Sequence, residues 1–69
     1  MNDARTHAPT RQYQCGALTL TLTHAAALER VAWLRRVARE ARAEGAGGDA
    51  AWCEEAARLL TTQIHEVAT

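Results

Sequence analysis

The sequence predicts a small α+β domain in which a β-hairpin, or a single β-strand, is followed by an antiparallel two-helix hairpin. Alternating apolar and polar residues between Arg11 and Thr23 predict the β-structure. Apolar residues spaced three and four apart in the rest of the chain predict two helices, which the glycine-rich stretch "GAGG" separates. With 69 residues, the chain has room for one domain. We assign it to residues 11–69, after a polar, flexible tail at residues 1–10.

The β-structure is predicted to be a hairpin because the alternation changes phase at Gly16-Ala17. In "RQYQCGALTLTLT" the apolar residues occupy odd positions before the glycine and even positions after it, which one regular strand does not allow. A two-residue type II′ turn with glycine first pairs Cys15 with Leu18. One face of this hairpin then carries the apolar side chains Tyr13, Cys15, Leu18, Leu20 and Leu22. The alternative is one long strand with a bulge at Gly16, paired with a second chain.

The two helices are placed by their end signals and their apolar stripes. The first is expected between Thr23, a favourable N-cap, and Gly45, a typical C-terminal stop. Its stripe consists of Ala27, Val31, Leu34, Ala38 and Ala41, with Val37 beside it. The second helix is expected from Ala50 to Ala68, with Asp49 as its N-cap. Its stripe consists of Cys53, Ala56, Ala57, Leu60, Ile64 and Val67, widened on one side by Trp52 and Leu59.

The predicted core is small even for a chain of this length. There is no Phe, and alanine supplies much of the apolar fraction, so folding removes little apolar area from water. Domains this short are marginally stable alone and are commonly supported by oligomerisation. We therefore expect a homodimer. The core and the dimer contact are assigned to Leu18, Leu20, Leu22, Val31, Leu34, Leu60 and Ile64.

Composition argues against several classes of function. The net charge is zero at pH 7, so no overall field attracts nucleic acid or a membrane surface. No segment has the apolar run of a membrane span or the apolar centre of a signal peptide, so no membrane partner is expected. These features predict a cytoplasmic protein. Cys15 and Cys53 are then expected to be reduced thiols, with a disulfide between them as the alternative.

No catalytic, cofactor or metal site is expected. The candidate ligands and nucleophiles are scattered, without the short paired spacings of zinc sites. They are His7, His24, His65, Cys15 and Cys53. The stretch "GAGG" lies between two helices, where a turn explains it without a phosphate-binding loop. The sequence therefore predicts a protein that is not an enzyme.

Arginine and tryptophan supply the candidates for partner binding. Arg35, Arg39 and Arg42 form a stripe along one flank of the first helix, which suits an acidic protein surface or phosphates. The alternative is a solvated face with ion pairs within the helix. Trp33 is a further candidate because tryptophan is enriched at interface hot spots, although filling the core also explains it.

Charge is divided unevenly between the helices. Residues 24–44 hold five arginines and three glutamates, whereas residues 49–67 hold one arginine and four acidic residues. This complementarity favours helix pairing and disfavours DNA binding, because the acidic helix repels phosphates. Arg30 projects toward the apolar stripe. It either pairs with an acidic residue of another helix or chain, or extends its head to water from a buried stem.

The order of strand and two helices resembles the ribbon-helix-helix family of repressors over residues 17–67. In that family two chains pair their strands, and polar side chains of the paired strands enter the major groove of DNA. The resemblance implies that Thr19, Thr21 and Thr23 of "LTLTLT" contact DNA, so the alternative function is a DNA-binding transcriptional regulator. The strand has no basic residue beyond Arg11, whereas DNA-binding modules normally carry a basic surface.

In length and in its alanine- and arginine-rich composition, the chain resembles the small inhibitors that phages make early in infection, in particular quorum-sensing anti-activators. Such proteins bind a LuxR-type transcription factor and a type IV pilus assembly ATPase. The resemblance implies a non-catalytic inhibitor in the host cytoplasm that covers a site its target needs. The contacts that we predict for this role are Arg35, Arg39, Arg42 and Trp33.

Overall fold

The computed structural model describes residues 9–68, with side chains as far as Glu66. Its elements are β1 (Thr10–Cys15), β2 (Leu18–Thr23), α1 (His24–Ala43) and α2 (Gly47–Ala68). This order confirms the predicted α+β fold of a hairpin followed by two helices. The tail predicted at residues 1–10 falls mostly outside the described residues, although Thr10 already belongs to β1. The predicted place of Val67 on the second stripe also falls outside the described side chains.

The two strands pair antiparallel in the predicted register. Cys15 lies opposite Leu18, and the pairing continues without a bulge to Thr10 opposite Thr23. Gly16 has a φ of 65°, whereas no residue other than glycine has a positive φ among the described residues. Positive φ at only the first loop position is the signature of a type II′ turn. The strands therefore pair within one chain, and the alternative of a single bulged strand is wrong.

The apolar face of the hairpin is covered more fully on β1 than on β2. Tyr13 and Cys15 of β1 are buried, at 1% and 6% exposure. Leu20 and Leu22 of β2 are half-buried, and Leu18 at the turn is 52% exposed. Leu18, assigned to the core or to a dimer contact, therefore lies outside the core of this chain.

The ends of α1 are fixed by the predicted signals. The Thr23 hydroxyl oxygen accepts a hydrogen bond from the backbone N–H three residues later, at 3.1 Å. At the other end Gly45 has a φ of 83°, and its N–H donates to the Arg42 carbonyl at 3.1 Å. The next N–H, of Ala46, reaches back to the Ala41 carbonyl at 2.8 Å. These two bonds make a Schellman motif, which ends the helix at the glycine.

The second helix begins earlier than predicted, at Gly47 instead of Ala50. The Ala50 N–H donates to the Ala46 carbonyl at 3.1 Å, so Asp49 lies inside the first turn. The prediction that Asp49 is the N-cap is therefore wrong. Its carboxylate still favours this end of the helix, where the helix dipole is positive. The earlier start was missed because glycine is a poor helix former.

The helices pack against each other along their predicted stripes. Val31, Leu34, Leu60 and Ile64 are all buried, as expected for core residues. The other predicted stripe residues that are buried are Ala27, Ala38, Ala41, Cys53, Ala56 and Ala57. Ala50, which was not predicted to belong to the apolar stripe, is buried as well. Alanine on the facing surfaces allows close approach of the helices but removes little apolar area per residue.

A glutamine side chain joins the hairpin to α2. The Gln63 Oε1 accepts a hydrogen bond from the Gln14 N–H at 2.9 Å, and its Nε2 donates to the Gln14 carbonyl at 2.8 Å. The same Nε2 donates to the Leu59 carbonyl, one turn earlier in α2, at 3.0 Å. The amide thus satisfies both backbone groups that Gln14 presents at the outer edge of β1.

Candidate functional site

Among the residues that the structure describes, most of the exposed large apolar side chains meet in one groove. The exposed large hydrophobic residues are Leu18, Leu28, Trp33 and Trp52, and all but Leu28 lie around this groove. We call it the tryptophan groove. It is lined by Leu18 and Leu20 of β2, Arg30 and Trp33 of α1, and Trp52 of α2, with Cys15 beneath them. Apolar patches gathered in this way mark interaction surfaces, whereas isolated exposed hydrophobic residues do not.

The tryptophans reach the groove because each lies at the hairpin-facing border of its helix stripe. Trp33 precedes the buried Leu34, and Trp52 precedes the buried Cys53. The antiparallel turn between α1 and α2 brings these two borders to the same side of the molecule. Their exposures of 47% and 56% show that neither ring fills the core. The interpretation of Trp33 as a core residue is therefore wrong.

Arg30 lies beside the tryptophan on its own helix. Its guanidinium carbon is 5.8 Å from the centre of the Trp33 ring, within the range of a cation–π interaction. The side chain is half-buried. No acidic partner joins it among the described residues. Within one chain the structure shows a half-buried Arg30 that contacts an aromatic ring, whereas an ion pair with a second chain stays a prediction.

The thiol beneath the groove is in an apolar setting. Burial raises the pKa of Cys15, and the positive charge of Arg30 opposes this only in part. A higher pKa means less thiolate at neutral pH, and the thiolate is the nucleophilic form. Cys15 and Cys53 are both free thiols. The groove thus offers apolar contact area and one cation, with a thiol poorly suited to nucleophilic attack.

The predicted arginine stripe lies on the opposite flank of α1. Arg35 is about 200° around the helix from Trp33, because successive residues turn by 100°. Its Nη2 donates to the Thr61 hydroxyl at 3.5 Å. Arg42 makes a two-bond ion pair with Glu54 of α2, with an Nε–Oε2 distance of 2.9 Å and an Nη2–Oε1 distance of 2.6 Å. The four predicted contact residues therefore do not form one surface, and α2 already engages two of the arginines.

A second depression, more open and with a volume of about 270 Å³, lies on this arginine flank. Leu28, Arg35 and His65 contribute to its lining. It holds one exposed large hydrophobic residue, whereas the tryptophan groove holds three. We therefore place the candidate site in the tryptophan groove.

The polar face of the hairpin carries no charge. Gln12, Gln14, Thr19 and Thr21 are exposed there, and the Thr19 hydroxyl donates to the Gln14 side-chain oxygen at 3.2 Å. Thr23, the third residue expected to contact DNA, uses its hydroxyl oxygen to cap α1. Arg11 is directed to the other face, with its guanidinium carbon 5.2 Å from the centre of the Tyr13 ring. This face therefore lacks the cations that bind DNA phosphates.

Sequence reasoning missed the contributions of Trp52, Arg30 and the two leucines to one site. The available signal was the position of both tryptophans at a stripe border, but the hairpin was needed to bring Leu18 and Leu20 beside them. No group of three or more His, Cys, Asp or Glu side chains within residues 9–66 is arranged to hold a metal ion. No helix in the described part of the chain is long and apolar enough to cross a membrane.

No family model, curated protein or solved structure matches this chain.

Proposed function

We propose that the chain is a small non-catalytic inhibitor that binds a target protein through the tryptophan groove. The observation that carries this proposal is the gathering of Leu18, Trp33 and Trp52 around the half-buried Arg30. Tryptophan and arginine are the residue types most enriched at binding hot spots. Inhibition would follow by occlusion, because a bound domain covers the surface that its target needs.

A protein target fits this groove better than a small molecule does. The groove has a volume of about 240 Å³, below the roughly 300–1,000 Å³ typical of small-molecule pockets. Three exposed apolar side chains, those of Leu18, Trp33 and Trp52, contribute to its lining, and such side chains suit contact with a protein surface. The single cation in the lining favours an apolar partner segment that carries a carboxylate near its anchor residue.

The resemblance to phage anti-activators supplies the first targets to examine. In this proposal the target is a host regulator such as a LuxR-type quorum-sensing transcription factor, and a type IV pilus assembly ATPase is a second target. The solvated arginine flank, with Arg39 at its centre, would contribute long-range attraction to an acidic target.

The test begins with affinity capture from the lysate of the source cell after nuclease treatment, with purified LuxR-type regulator and pilus ATPase assayed in parallel. Binding of the captured protein is then measured by calorimetry for Trp33→Ala, Trp52→Ala and the control Leu28→Ala. Each tryptophan variant is expected to lose more than about 2 kcal/mol, or roughly thirtyfold in affinity. The control removes a similarly exposed apolar side chain outside the groove and is expected to bind as the wild type does.

Two outcomes would overturn this assignment. Full-strength binding by folded Trp33→Ala and Trp52→Ala proteins would exclude the groove. If a triple Arg35→Ala, Arg39→Ala, Arg42→Ala variant then lost binding, the arginine flank would be the site. Retention of DNA but no protein, when nuclease is omitted, would favour the DNA-binding alternative, in which Thr19→Ala or Thr21→Ala weakens binding and salt lowers affinity steeply.

A further inference from the structure

The outer edge of β2 is an open sheet edge. Cys15 and Leu18 flank a two-residue loop, so they form a hydrogen-bonded pair, and the next pair, Gln14 with Thr19, is a non-hydrogen-bonded one. The bonds from the Gln14 N–H and carbonyl to Gln63 agree with this, because those groups point away from β2. By the same alternation, the N–H and carbonyl groups of Thr19 and Thr21 point away from β1.

The two outer edges of the hairpin differ in the hydrogen-bond partners of their backbone groups. The Gln63 side chain occupies the outer edge of β1 at Gln14. Nothing within residues 9–66 bonds to the outward backbone groups of Thr19 or Thr21. β2 contains no charge, proline or bulge, which are the usual devices that stop a strand edge from pairing with another chain.

We propose that a second copy of this chain pairs with β2 along this edge, antiparallel and across a two-fold axis at Leu20. In that register Leu20 lies opposite its own copy and Leu18 lies opposite Leu22. Thr19 lies opposite Thr21, and their outward backbone groups exchange hydrogen bonds across the axis. The product is a four-stranded sheet with the two β2 strands at its centre.

The sequence of β2 favours a second copy of this chain as the partner. The segment "LTLTL" reads the same in both directions, so a two-fold axis places leucine beside leucine and threonine beside threonine. No like charges meet at this edge, and the chain has zero net charge. Leu18, the leucine that one chain leaves most exposed on its apolar face at 52%, would gain Leu22 of the second copy as a cross-strand neighbour on its outer side.

This inference does not depend on the proposed function. The two are nevertheless connected in space, because Leu18 and Leu20 also form the β2 wall of the tryptophan groove. A dimer paired at β2 would carry its two grooves on the same face of the sheet. A dimeric target could then be bound at two points, which raises the apparent affinity without any new contact.

The first test combines sedimentation equilibrium with amide hydrogen exchange of the full chain. The expected mass is twice the 7.5 kDa of one chain. The Thr19 and Thr21 amides are expected to exchange roughly tenfold or more slowly than the Gln12 amide. Gln12 is the control because it lies opposite Thr21 and directs its N–H to the other edge of the hairpin. A monomer at all concentrations, or Thr19 and Thr21 amides as fast as that of Gln12, would overturn the proposal.

The second test changes the edge itself. Thr21→Pro removes one outward N–H donor and no hydrogen bond within the hairpin, so this variant is expected to be a folded monomer. The control Thr21→Ala keeps the N–H donor and is expected to remain dimeric. If the proline variant fails to fold, Thr19→Lys with Thr21→Lys places like charges opposite each other across the axis. Its control is Gln12→Lys with Gln14→Lys on the same face of the hairpin. Persistence of the dimer in the folded Thr19/Thr21 variant would contradict the assigned edge.

Discussion

At the scale of single residues, Gln63 shows how one side chain replaces a strand. A backbone N–H and carbonyl at a sheet edge need partners, and an amide side chain offers both an acceptor and a donor at suitable spacing. Gln63 supplies them to Gln14 from a half-buried position on α2. The hairpin is thus fixed to the helices by polar bonds as well as by the buried ring of Tyr13.

We expect Gln63→Ala to lower the free energy of unfolding by about 1 to 2 kcal/mol, because two hydrogen bonds to β1 are lost. Urea titration followed by circular dichroism measures this. The control is Thr62→Ala, which removes an exposed neighbouring side chain and should change stability by less than about 0.5 kcal/mol. Equal effects of the two substitutions would mean that the amide contributes no more than an ordinary surface residue.

At the scale of elements, two glycines at the junction of α1 and α2 have different roles. Gly45 has a φ of 83° and ends α1, whereas Gly48 has no positive φ and lies in the first turn of α2. A Cβ at either position meets nothing within 4 Å. Backbone conformation alone therefore distinguishes the two sites.

The same substitution is expected to have opposite effects at these glycines. Gly45→Ala should destabilise the protein by about 1 to 2 kcal/mol, because a residue with a Cβ is strained in the left-handed region. Gly48→Ala should stabilise it by about 0.4 to 1 kcal/mol through lower entropy of the unfolded chain. Thermal unfolding of both variants, measured in parallel, shows whether each substitution raises or lowers the stability. A stabilising Gly45→Ala would contradict the role of Gly45 in the Schellman motif.

Short-range sequence patterns predicted the strands and helices well, but they predicted less well how these elements pack together. The phase change at Gly16-Ala17 was sufficient for the hairpin, since turn geometry and facial alternation depend on neighbouring residues alone. The bonds between Gln63 and Gln14 join residues 49 positions apart and have no local signature. For the same reason, the sequence grouped Trp33 with the arginine stripe. Only the packing of the hairpin on the helix pair, with β2 against α1 and β1 against α2, shows that Trp33 belongs with Trp52.

At the scale of the whole molecule, a small core is supplemented by charge complementarity between the helices. Among the described residues, Tyr13 and Leu60 are the largest side chains that are fully buried, and six of the thirteen core residues are alanine. Such a core leaves little stability to spare. The ion pair of Arg42 with Glu54 joins the basic helix to the acidic one, across the end where the connecting turn lies.

The contribution of this ion pair should depend on pH in a defined direction. The hydrogen bonds from Arg42 lower the pKa of Glu54 below its ordinary value of 4.5, and Arg58, three residues along the same helix, lowers that of Glu55. A carboxyl group whose pKa is lower in the folded state stabilises the fold above its unfolded pKa. That contribution is lost as the pH falls through the folded value. Stability should therefore decline as the pH falls below about 4.5.

Substitution of Arg42 distinguishes the interhelical pair from the local one. In Arg42→Gln the pKa of Glu54, measured by NMR titration of the side-chain carboxyl, should return toward its ordinary value, while that of Glu55 stays low. Arg58→Gln should give the converse. The first pair joins two helices, whereas the second lies within one helical turn. Arg42→Gln should therefore reduce the loss of unfolding free energy at acid pH more than Arg58→Gln does. An unchanged Glu54 pKa in Arg42→Gln would show that the two helices are not joined by this contact in solution.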